Sequence, residues 1–130
     1  MQEHRSIEQI ENDFWKEVDF PSGLVEKCFA YRKIPIAELS VEQLRLLISQ
    51  SIGLPYIISR AVCILQQNIL SEGDYYQGDL LSVLLELKHE DWQQNLKEKA
   101  ELKHLIVHSL NEIEANENQS LMRKVRAFLS

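Results

Sequence analysis

The stretch from Ser40 to Leu87, SVEQLRLLISQSIGLPYIISRAVCILQQNILSEGDYYQGDLLSVLLEL, most constrains what this chain can fold into. It sets three apolar segments in a row, divided at Gly53 and at the loop SEGDYYQGD. Val41, Leu44, Leu47 and Ile48 recur at helical spacing behind Ser40, which forms a capping box with Gln43. On that helix Glu42, Arg45 and Gln50 are expected to stay in water. Gly53 suits the left-handed residue that stops it, and Pro55 suits the first turn of the next. From Pro55 to Leu65 only Ser59 and Arg60 are polar. A helix apolar on nearly every side is a buried one, so Pro55–Gln67 reads as the central core helix. Leu80, Leu81, Val83, Leu84, Leu85 and Leu87 then build a third helix, leaving Ser82 and Glu86 for solvent.

The flanks continue in the same period. Ser6 and Gln9 form a second capping box, and Ile7, Ile10, Phe14 and Val18 follow on one helical face until Pro21-Ser22-Gly23 ends it. Leu24, Val25, Cys28 and Phe29 make a short apolar stripe that closes before Ile34-Pro35. His89-Glu90-Asp91 ends the third core helix or caps the next. One long helix is expected from about Trp92 to Ala115, with Leu102, Leu105, Ile106, Leu110 and Ile113 inward. A last helix carries Leu121, Met122, Val125, Phe128 and Leu129 inward and Arg123, Lys124 and Arg126 outward. There is no internal repeat and no useful alternating strand pattern. The expectation is one all-α domain over residues 1–130, with six or seven helices around the Pro55–Gln67 helix.

Length and charge narrow the function. At 130 residues the chain can bury a real core without disulfides or metal ions. Cys28 and Cys63 both fall in apolar helical segments and read as two buried free thiols of a reducing compartment. The N-terminus is charged where a secretion signal needs an apolar core, and Arg60 and Glu86 break the longest apolar runs well short of a membrane span. A cytoplasmic protein is expected, and Asn118-Gln119-Ser120 is a chance match to a glycosylation acceptor. The formal net charge is −6, which repels nucleic acid and anionic lipid and attracts basic partners.

Enzymatic and DNA-binding readings find little to stand on. Glu101, His104 and His108 share one side of a helix and have the spacing for a metal ion. That side lies opposite the core stripe and faces water. A thiol among Phe and Ile side chains is inert rather than activated. No phosphate-binding glycine loop and no triad context is present, so neither an enzyme nor a cofactor or metal is expected. Leu44 to Leu65 has a helix-turn-helix outline. Its second helix would place isoleucines in the groove where base readout needs polar side chains and flanking cations.

The loop SEGDYYQGD is not a mere connector in composition. Glu72, Asp74 and Asp79 are negative, and Tyr75 and Tyr76 are of the type enriched at protein interfaces. The same residues also have structural uses. Gly73 and Gly78 permit turns, Asp79 suits a helix cap, and either ring can fold back onto the core.

In this block the chain resembles the immunity proteins of bacterial contact-dependent growth inhibition. The resemblance is carried by LRLLISQ at Leu44 to Gln50, IGL at Ile52 to Leu54, the apolar helix Ile57 to Leu65, and EGDYYQGDLL at Glu72 to Leu81. Ile69 and Gln77 stand where the family pattern favours proline. The resemblance implies a cytoplasmic inhibitor that binds the C-terminal toxin domain of a cognate effector. Such toxins are often nucleases, and a nuclease is expected to be basic, so an acidic inhibitor complements it. The toxin-facing surface is then assigned to Glu72, Asp74, Tyr75, Tyr76 and Asp79, helped by Glu86 and Glu90. A pattern shared across many toxins also fits a common scaffold, with the flanks choosing the partner. The alternative function is a small helical adaptor or transcription-associated module without a toxin partner.

Overall fold

The computed structural model describes residues 3–16 and 22–130. Val18 and Pro21, two positions of the expected first helix and its stop, lie outside the described residues. Among those described the chain is all-α, with eight α-helices, two 3-10 turns and no strand. The helices are α1 (Ile7–Glu11), α2 (Gly23–Tyr31), α3 (Val41–Ser49), α4 (Leu54–Gln67), α5 (Asp79–Leu85), α6 (Leu96–His108), α7 (Leu110–Ala115) and α8 (Gln119–Leu129). The 3-10 turns are Ile36–Glu38 and His89–Trp92.

Both capping boxes form. Ser6 accepts from the Gln9 amide while the Gln9 side chain accepts from Ser6, and Ser40 and Gln43 do the same at α3. The first helix is shorter than its apolar spacing suggests. Asn12 takes a left-handed conformation and ends α1, which leaves Phe14 exposed in the following segment. That segment is held by Arg32, whose buried guanidinium donates to Glu11 at 2.7 Å and to the Asp13 carbonyl at 2.9 Å. Its other face is covered by the Trp15 ring, 4.2 Å away. On α2 the stripe turns only Cys28 fully inward, while Leu24 is exposed.

α3 packs against α5 and α4, α4 against α6, and α8 closes over α5 and α6. Leu44, Leu47 and Ile48 of α3, Ile57, Ile58 and Leu65 of α4, and Leu80, Leu81 and Leu84 of α5 meet in one buried cluster. Each fully buried aliphatic side chain contributes about 1.5–3 kcal/mol by leaving water. Trp92 joins the cluster and lies tilted against Phe128 at 6.0 Å between ring centres. The core is therefore continuous from α3 to α8.

Five expectations about local structure need correction. The helix expected over Trp92 to Ala115 is interrupted twice. Trp92 ends a 3-10 turn, and Ser109 separates α6 from α7. Buried Asn95, whose amide nitrogen donates to Glu98 and to the Pro55 carbonyl, fixes the first break. α4 is not apolar all round: Tyr56, Ser59 and Cys63 line an outer face, so Cys63 is an exposed thiol. Ser82 is buried rather than wet, and accepts a hydrogen bond from the Lys124 ammonium at 2.6 Å. Ser51, with φ 55°, supplies the left-handed residue after α3, whereas Gly53, with φ 65°, caps the start of α4. Glu42 and Arg45 are withdrawn from water, for reasons that lie in the loop.

Candidate functional site

The loop between α4 and α5 is built from both ends. At its start, Asn68 accepts from the Leu70 amide at 3.0 Å and its carbonyl accepts from the Ser71 hydroxyl at 2.6 Å. At its end, Gly78 adopts φ 92° and donates its amide to the Leu70 carbonyl at 3.1 Å. Only glycine takes that backbone conformation without strain. An isolated antiparallel bridge pairs Glu72 with Gln77. The segment is thus a closed turn, with Gly73 to Tyr76 at its tip.

Asp79 organises the tip from inside. Its buried carboxylate accepts from the amides of Gly73 at 2.7 Å, Tyr75 at 3.0 Å and Tyr76 at 3.4 Å. The side chain therefore reaches back into the loop rather than capping α5, where no side-chain cap is made. Three backbone donors on one carboxylate fix the tip to the first turn of α5.

A second carboxylate pins the same tip from α3. Glu42 accepts from the Asp74 amide at 2.9 Å and takes a two-pronged pair from Arg45, Nε to Oε1 and Nη2 to Oε2, both at 2.7 Å. Their side chains are 21% and 11% exposed, respectively. The Arg45 hydrogen bonds hold the Glu42 carboxyl below its usual range, with the Asp74 amide adding to the effect against the opposing pull of burial. Arg45 in turn lies under the Tyr75 ring, 4.4 Å from its centre. Gly73 lies against both carboxylates: a Cβ there would sit 2.6 Å from Glu42 Oε1 and 3.1 Å from Asp79 Oδ2.

Of the residues singled out in the sequence, five come together here. Glu72, Asp74, Tyr75 and Tyr76 are exposed, Tyr75 most of all at 69%, while Asp79 is interior. Glu86 stands at the other end of α5 and pairs with Lys124 at 2.5 Å. Glu90 lies in the 3-10 turn His89–Trp92 and lines a separate cleft with Pro55 and Gln94. Sequence reasoning missed Glu42 and Arg45 as parts of the site. Their signal was an acid and a base three apart, on the helix that packs against α5.

The remaining candidates sit elsewhere. His104 and His108 are exposed on α6 with ring centres 4.2 Å apart, and His108 Nδ1 lies 2.9 Å from the His104 carbonyl. Glu101 is 3.9 Å from the Lys97 ammonium instead. Among the described residues no group of three or more His, Cys, Asp or Glu side chains is placed to hold a metal ion. Cys28 is buried, and burial pushes its thiol up from the ordinary range, away from a reactive thiolate. Among the same residues no helix is long and apolar enough to cross a membrane.

A family model described as CDI immunity proteins matches residues 9–102, most of the chain and all of α2 to α5. No curated protein and no solved structure matches. The chain belongs to the family of CDI immunity proteins.

Proposed function

We propose that this CDI immunity protein neutralises a cognate toxin domain by stoichiometric binding, and that the exposed tip of the α4–α5 loop meets the toxin. Glu72, Asp74, Tyr75 and Tyr76 are the contacting side chains, while Asp79, Glu42 and Arg45 hold them in place. The observation that carries this assignment is the locked tip. Four loop amides, counting Asp74 on Glu42, are held by two carboxylates, yet the Tyr75 ring stays 69% exposed. A fold has no need to fix so large a ring so firmly in water. A binding surface does, because a preordered anchor loses little further entropy when the partner arrives. The negative side chains beside the rings suit a basic toxin surface, such as the phosphate-attracting face of a nuclease.

The test is co-expression of this chain with the C-terminal toxin domain of its cognate effector. Growth is expected to be restored by the wild-type chain and impaired with Tyr75→Ala and Tyr76→Ala together. A wild-type chain that leaves the cells inhibited would overturn the reading. Full protection by a correctly folded double variant would move the interface away from the loop.

A further inference from the structure

A cleft of about 610 Å³ lies between the end of α7 and the outer face of α8. Its walls carry opposite charges. Glu114 and Glu117 line it from α7 and the turn beyond, and Arg123 and Arg126 line it from α8, with Met122 between them. Arg123 and Arg126 are exposed, and neither guanidinium forms an ion pair or hydrogen bond among the described residues. Lys124, the third cation of α8, is already taken up by Ser82 and Glu86. An acidic protein thus keeps two unpaired arginines together on one helix face.

The loop touches both helices that line the cleft. Asn116, at the end of α7, donates its side-chain amide to Gln77 of the loop at 3.0 Å. Gly78 approaches α8 so closely that a Cβ there would lie 2.8 Å from Leu121 Cδ2. A partner seated on Tyr75 and Tyr76 therefore extends naturally over the Asn116 corner and into the cleft. The family match ends at residue 102, so α7 and α8 lie wholly outside it. The matched stretch holds the loop and its scaffold, and the cleft lies beyond it.

We propose that the α7–α8 cleft is a second toxin contact, and that it receives a toxin segment presenting a carboxylate to Arg123 and Arg126 and an apolar side chain to Met122. The inference rests on the toxin-binding reading above and adds the part that discriminates between partners. Carboxylates on the loop and arginines on the cleft give the interface two poles, which fixes the orientation of the bound toxin. A toxin lacking the carboxylate leaves two desolvated arginines unpaired, and that penalty is a source of selectivity.

Isothermal titration of the purified chain with the cognate effector's C-terminal domain tests this. Arg123→Glu with Arg126→Glu is expected to weaken the dissociation constant at least tenfold, and Arg123→Lys with Arg126→Lys to retain much of the affinity. Both variants change exposed side chains, and circular dichroism checks that each is folded. Wild-type affinity in the folded glutamate variant would overturn the cleft while leaving loop binding intact. A wild-type chain that does not bind the toxin domain at all would overturn both readings together.

Discussion

The guanidinium carbon of Arg45 lies over the ring of Tyr75, 4.4 Å from its centre, while one edge of the guanidinium is bound by Glu42. One side chain of α3 thereby ties the loop's most exposed aromatic to the core helices. Stacking of this kind adds about 0.5–2 kcal/mol according to exposure, and the two-pronged pair adds direction, since the guanidinium has one plane to offer. Asp79, from the first turn of α5, holds the Tyr75 amide, and α5 packs against α3. Loop and scaffold are therefore one unit mechanically.

Removing that link should loosen the tip before it unfolds the protein. Arg45→Ala leaves Glu42 partly buried with only the Asp74 amide for a partner. Losing hydrogen bonds to a charged group costs about 1.5–3 kcal/mol, and urea unfolding should show a loss of that order. Arg45→Lys should recover only part of it, because an ammonium can neither fork onto the carboxylate nor stack in the same way. Amide exchange at Asp74 reads the loop directly. Unchanged protection there in Arg45→Ala would show that Arg45 does not hold the tip.

The same pair makes the loop sensitive to acid. Because Arg45 and the Asp74 amide hold the Glu42 carboxyl below its ordinary 4.5 in the folded chain, its ionisation favours folding. That contribution is fully present above pH 4.5 and is lost as pH falls through the lower folded value. Wild type and Glu42→Gln should therefore differ in urea midpoint at pH 6, and the gap should narrow as the pH falls below 4.5. A gap that stays constant across that range would remove Glu42 from the acid response.

What the sequence disclosed about this arrangement depended on how far apart the interacting residues lie. The capping boxes at Ser6–Gln9 and Ser40–Gln43 are contacts between residues three apart, and both were readable directly. The core faces of α3, α5 and α8 followed from periodicity alone. Arg45 and Glu42 read as wet residues because the Tyr75 ring lies against the one and the Asp74 amide binds the other, and no local pattern connects the loop to α3. The interruption of the helix expected over Trp92 to Ala115 escaped for a related reason, since Asn95 is anchored to Pro55 on α4. The outer face of α4 is different. Tyr56, Ser59 and Cys63 stand at i, i+3 and i+7, so the stripe was present in the sequence but hidden by its mostly apolar composition.

Two glycines should respond oppositely to alanine. Gly78 has φ 92°, and a Cβ would press on Leu121. Gly78→Ala should therefore destabilise by at least about 1–3 kcal/mol, the cost of a strained non-glycine backbone. Gly23 begins α2 with nothing within 4 Å of its missing Cβ. Gly23→Ala should be neutral or stabilise by up to about 1 kcal/mol, mainly by restricting the unfolded chain. Thermal unfolding of the two variants side by side reads the contrast, and equal melting temperatures would contradict the backbone assignment at Gly78.

The charges at the tip bear on rate more than on fold. Glu72 and Asp74 point their carboxylates into water, and only the Asp74 amide, not its side chain, is bound by Glu42. Glu72→Lys with Asp74→Lys should therefore leave stability within about 0.5 kcal/mol. Toxin association should slow, because exposed charges steer a basic partner over distances set by the Debye length. At about 0.15 M salt that length is roughly 8 Å, and at about 0.01 M it is roughly 30 Å. The fold-loss in association rate should accordingly be larger in dilute buffer and shrink as salt is added, while dissociation changes less. Stopped-flow mixing with the toxin domain at several ionic strengths measures this. A loss independent of salt would mean that the two carboxylates make short-range contacts at the interface rather than steering the approach.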